Sequence, residues 1–138
     1  MRRAAALASG LLLAAAAGAG CGTTPPDLFV LTRSGSIPGA SLRLLVRDDG
    51  IVYCNGGAGR QLPDPQLLQA REIARELADP ASKHLSLQPA PGSVLHYRIR
   101  LEQGTVTFSD DSRRQTKEMF LAQRFARVTA TRVCGLPR

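Results

Sequence analysis

From Leu95 to Leu101 apolar and basic side chains alternate without a break. Successive side chains of a strand point to opposite faces. Leu95, Tyr97, Ile99 and Leu101 therefore turn one way, and His96, Arg98 and Arg100 the other. A strand divided in this manner belongs in an antiparallel sheet with one face covered and the other wet. Residues 41–47 follow the same rule, with Leu42, Leu44 and Val46 on one face and Arg43, Leu45 and Arg47 on the other. Asp48-Asp49-Gly50 supplies a hairpin turn, and residues 51–54 return as the next strand. The run 28–31 reads as a buried strand, and residues 105–109 follow a turn at 102–104. About five strands result.

Two helices interrupt them. Asp64-Pro65 suits a helix start, because Asp caps free N–H groups and proline has a helical φ. Leu67, Ala70, Ile73, Ala74 and Leu77 then fall on one face, and Asp79-Pro80 predicts the end. Asp110-Asp111-Ser112 offers caps for a second helix running to about Val128. Its apolar face is expected to use Leu121, Phe125 and Val128, flanked by Met119 and Ala122. Residues 129–133 can fray, prolong the helix or form a short strand. The Gly-rich segment 55–63 reads as a plain loop, because it lacks both G-x-G-x-x-G and a phosphate-loop lysine. The predicted fold is α+β, with a mainly antiparallel sheet carrying two helices on one face.

The amino terminus reads differently. Arg2-Arg3, an apolar stretch over residues 4–17 and Gly18-Ala19-Gly20 precede Cys21. Gly18-Ala19-Gly20-Cys21 resembles a lipobox, in which the cysteine becomes the first mature residue and carries lipid such as palmitate. Residues 1–20 are then a lipoprotein signal peptide, residues 21–27 the lipidated Cys21 and a short tether, and residues 28–138 a single domain. Two acyl chains hold a protein at a membrane where one does not. The expected location is the extracytoplasmic face of the cell membrane, with secretion as the alternative. The Ala- and Arg-rich, Lys-poor composition resembles that of a high-GC bacterium such as an actinobacterium.

With Cys21 lipidated, Cys54 and Cys134 remain. They lie in no C-x-x-C motif, and in an oxidising compartment they are expected to pair. Closing so long a loop contributes ~4 kcal/mol in the chain-entropy model.

Removing residues 1–20 takes Arg2 and Arg3 with it. Sixteen of the 18 basic residues then stand against all 11 acidic ones, a side-chain balance of +5. Such a domain at a membrane favours anionic neighbours. Nucleic acid does not fit, for there is no long basic block and no aromatic stacking platform. His84 and His96 are too scattered for a metal site, which needs three or four ligands. Asp48-Asp49 and Asp110-Asp111 sit where turns and caps want aspartate. No serine carries the G-x-S-x-G pattern. Neither catalytic residues nor a cofactor is implied. The basic strand faces are the candidate binding patch: Arg43, Arg47, His96, Arg98 and Arg100.

The order of these features resembles the emfourin family, small proteins linked to inhibition of thermolysin-like metalloproteases. The resemblance spans residues 28–128 and rests on Arg33-Ser34-Gly35, Gly39, the Leu-rich helix, Tyr97 within a strand, Gly104, Asp110 and a closing helix. The lipobox and the Cys54/Cys134 pair depart from that pattern. The resemblance implies an α+β, inhibitor-like binder, and no inhibitory residue is carried over. The function expected is a lipid-anchored, non-enzymatic envelope binding protein whose partner is a protein or an anionic polymer. An envelope enzyme with dispersed catalytic residues and an accessory subunit of a membrane complex are the other readings.

Overall fold

The computed structural model describes residues 23–137. The signal peptide expected over residues 1–20 and the expected lipidation at Cys21 fall outside the described residues. In chain order the elements are β1 (Asp27–Gly35), β2 (Leu42–Arg47), β3 (Ile51–Cys54), β4 (Gly59–Gln61), α1 (Asp64–Ser82), β5 (Leu95–Leu101), β6 (Gly104–Ser109) and α2 (Lys117–Val128). A π-helical turn, Thr129–Val133, prolongs α2. The strands form one sheet in the order β4-β3-β2-β1-β5-β6, and every neighbouring pair is antiparallel. The fold is α+β, as the alternation requires.

Register decides which residues share a face. Leu31 lies opposite Leu44 on one side and Ile99 on the other. Phe29 faces Val46, and Val46 faces Val52. These side chains are almost fully buried beneath Ile73 and Leu77 of α1 and Met119 and Phe125 of α2. Phe29 meets Phe125 edge to face, with ring centroids 5.8 Å apart. Each such side chain contributes roughly 1.5–3 kcal/mol by leaving water. One sheet face therefore belongs to the core, and the helices occupy it.

Four local readings are corrected. β4 makes a sixth strand inside the segment expected to be loop. Its three residues are all exposed, and it is paired by ladder bonds to β3. β1 runs through Ser34 and Gly35, beyond the strand expected over 28–31. A Cβ on Gly35 would come 2.1 Å from the Val94 carbonyl oxygen, so only glycine lets the chain pass β5 here. α1 continues through Pro80. Proline forfeits one N–H bond to the preceding turn without ending the helix, which runs on to Ser82, and the Leu85 N–H donates to the Pro80 carbonyl at 3.0 Å. α2 starts at Lys117 rather than at the aspartates. Asp110 instead accepts from the Val94 N–H at 3.2 Å, and Asp111 is taken by Ser93. The buried stripe of α2 is Met119, Ala122, Phe125 and Ala126, while Leu121 and Val128 are half-buried.

Cys54 and Cys134 form the expected disulfide, with Cα atoms 6.0 Å apart. It ties the end of β3 to the segment following α2. Arg60 on the edge strand β4 adds a hydrogen bond to the Val133 carbonyl at 3.2 Å. The opposite edge is also covered. Leu87 N–H donates to the Thr107 carbonyl and Thr107 N–H to the Leu85 carbonyl, at 2.9 and 3.0 Å. Covering an edge removes a row of unpaired backbone groups that would otherwise template association.

Candidate binding face

The helices leave the second sheet face open. Thr32, at its centre, lies opposite Arg43 on β2 and Arg98 on β5, and Arg98 lies opposite Thr107 on β6. In the next row Tyr53, Leu45, Val30, Arg100 and Thr105 follow one another from β3 to β6. Ser34, His96 and Ser109 form a third row. All five residues of the sequence-derived patch thus reach the same face.

They are not equivalent. Arg47 donates to Asp49 Oδ2 at 2.8 Å and to the Tyr53 hydroxyl at 3.3 Å, and its side chain is only 18% exposed. Its charge serves the hairpin between β2 and β3. Arg43, Arg98 and Arg100 are exposed and take part in no ion pair among the described residues. Neighbouring strands lie about 4.8 Å apart, so Arg43 and Arg98, two strands apart, have Cα atoms roughly 10 Å from each other. Arg98 and Arg100 stand roughly 7 Å apart along β5. In the row beside this triangle Val30 is apolar and 8% exposed. It lies directly opposite Leu45 and Arg100, and an arginine stem covers apolar surface while its head stays in water.

Toward β6 the face deepens into a groove of about 500 Å³. Thr32, His96, Arg98 and Thr107 form its floor, and Ser86 to Pro89 one wall. The Thr107 hydroxyl donates to Ser86 Oγ at 2.8 Å, which fastens the wall to β6. The groove can present guanidinium and hydroxyl groups to an acidic ligand.

His96 is the cross-strand partner of Ser109, an arrangement that invites comparison with a nucleophile and its base. The Ser109 hydroxyl, however, is buried and bonded to Ser93 Oγ at 2.9 Å and Ser112 Oγ at 2.8 Å. This serine cluster fixes the turn after β6. His84 is exposed in the loop after α1, away from His96 in sequence and in a separate element. Among the described residues no three of His, Cys, Asp and Glu gather as a metal site. No helix among them is long and apolar enough to cross a membrane.

One group outside the open face is electrostatically distinct. The Tyr97 phenol lies on the core side, stacked on Phe108 with centroids 5.3 Å apart. Burial pushes its pKa up, and the nearby Arg33 guanidinium works in the opposite direction. Arg33 itself is anchored by hydrogen bonds to the Ala40 and Gly39 carbonyls at 2.9 and 3.0 Å. Alternation places Tyr97 but gives no sign of the arginine beside it.

The fold and face define a class of protein: a two-layer α+β domain whose sheet shows water a basic, hydroxyl-rich surface. No family model, no curated protein and no solved structure matches the chain.

Proposed function

We propose that this chain is a lipid-anchored, non-enzymatic binding protein of the bacterial cell envelope that engages an acidic surface on a partner protein. Cys21 would hold it at the extracytoplasmic face of the membrane, and the open sheet face would meet the partner. The observation that carries the reading is the trio Arg43, Arg98 and Arg100: three exposed guanidiniums with no ion-pair partner among the described residues, beside the apolar pair Val30 and Leu45. Exposed charges of this kind accelerate encounter and select partners, while apolar side chains beside them supply affinity. The emfourin resemblance sharpens the proposal to an inhibitor-like module acting on a protein. The tether from Gly22 to Pro26 spans at most roughly 18 Å when fully extended, so the partner would lie near the membrane.

The test is affinity capture from envelope extract with the wild-type chain and an Arg43→Glu/Arg98→Glu/Arg100→Glu variant, at low and high salt. One stoichiometric protein retained by the wild type and lost by the variant is expected. Capture that ignores the three substitutions would remove the open face from the proposal. Capture only of anionic polymer or lipid, lost in salt, would replace the protein partner. A Cys21→Ser chain should leave the membrane fraction, and unchanged fractionation would refute the anchor.

A further inference from the structure

A second surface lies on the helix side, at the end of the sheet where β1 finishes and β5 begins. Phe120, Gln123, Arg124 and Arg127 recur at i, i+3, i+4 and i+7 and therefore form one stripe of α2. That stripe, with Arg33, Tyr97 and Asp110, lines a cavity of about 380 Å³. A smaller cavity of about 160 Å³ adjoins it, lined by Ile37, Pro38, Leu95, Ala130 and Pro137 among others. Arg33, Leu95 and Arg127 line both, so the two form a single groove.

Exposed apolar side chains gather here. Among the described residues four large hydrophobic side chains are exposed: Ile37, Leu68, Val94 and Phe120. Ile37 and Phe120 line the groove, and Val94 is the chain neighbour of Leu95. Phe120 is 55% exposed, an unfavourable state for so large a ring on a solvated helix. Charge is equally concentrated. Arg33, Arg124 and Arg127 meet only one lining carboxylate, Asp110, which is occupied by the Val94 N–H. Arg124 and Arg127 have no ion pair among the described residues.

We infer that this groove is a docking site for an extended peptide segment of a partner protein, carrying a large apolar side chain beside an aspartate or glutamate. The carboxylate complements the guanidinium fork, which binds it bidentately. The smaller lobe, lined by Ile37, Pro38, Leu95, Ala130 and Pro137, suits one apolar side chain. Arg33 and Tyr97 also line the groove on the open sheet face, but Phe120, Arg124 and Arg127 line this one and not that.

A phage-displayed random heptapeptide library panned on the purified chain tests this, with counter-selection on a Phe120→Ser/Arg124→Glu/Arg127→Glu variant. Enriched peptides should carry an apolar residue within two positions of an acid. Their synthetic versions should lose at least tenfold in affinity on that variant and on Ile37→Ser, and should bind Arg43→Glu/Arg98→Glu/Arg100→Glu unchanged. All substituted positions are at least partly exposed, and thermal melting verifies that each variant folds. No enrichment over the variant, or enrichment of basic peptides, overturns the inference. So does displacement of the peptides by phosphatidylglycerol vesicles that bind through the same residues.

Discussion

Breaking the Cys54–Cys134 bridge isolates one term of the stability. The bond joins residues 80 apart in sequence. In the chain-entropy model, opening a loop of that length returns about 15 cal/mol/K to the unfolded chain, or about 4.5 kcal/mol at 25 °C. Little else changes in the folded state. Cys134 is held by its N–H bond to the Thr129 carbonyl at 2.9 Å, and Arg60 still reaches Val133. A domain of this size unfolds with an entropy near 0.24 kcal/mol/K, so a Cys54→Ala/Cys134→Ala chain should melt about 19 °C lower. Reduction of the wild type should give the same shift, because both act on the unfolded chain. Calorimetry on oxidised, reduced and double-substituted protein measures it. A shift under about 4 °C would refute the reasoning. It would mean that the unfolded chain is already compact enough to hold β3 near the carboxyl end.

Two further outcomes follow from the packing and the charges. A Cβ at position 104 would come 2.2 Å from the Ala81 carbonyl oxygen, so Gly104→Ala must push the β5–β6 hairpin away from the end of α1. It should cost about 1–3 kcal/mol in urea unfolding, and no measurable loss would show that the hairpin moves freely there. The raised Tyr97 pKa makes the unfolded state ionise first as pH climbs. Its contribution to stability is complete below about pH 10 and is lost as pH rises through the higher folded value. Melting temperatures between pH 8 and 12 should fall less steeply for Tyr97→Phe than for the wild type, and identical slopes would contradict the burial argument.

What was legible in the chain is what has a local period. Residues 95–101 and 42–47 announce their faces by alternation, and α1 announces its buried stripe at Ala70, Ile73 and Leu77. The pairing of Cys54 with Cys134 followed from counting. β4 was illegible because three exposed residues, Gly59–Gln61, carry no hydrophobic pattern and owe their strand to bonds with β3. The start of α2 was misread because Asp110 and Asp111 are good caps in isolation. Tertiary contacts with Val94 and Ser93 claim them first.

The same division applies to the binding surfaces. The sequence by itself determined that basic side chains would share a strand face, since period two leaves them no other direction. Only the tertiary structure decided that Arg43 and Arg98 stand on either side of Thr32, because that depends on the order of β2, β1 and β5. It also decided that Arg47 is spent on Asp49 and Tyr53. The groove beside Phe120 belongs wholly to the second kind. Arg33, Leu95 and Arg127 come from opposite ends of the chain, and nothing in the local pattern of any one of them points to the others. Hydrophobic periodicity acts over a few residues and chooses faces. Strand order and helix docking act through burial of the whole core, and they alone choose neighbours.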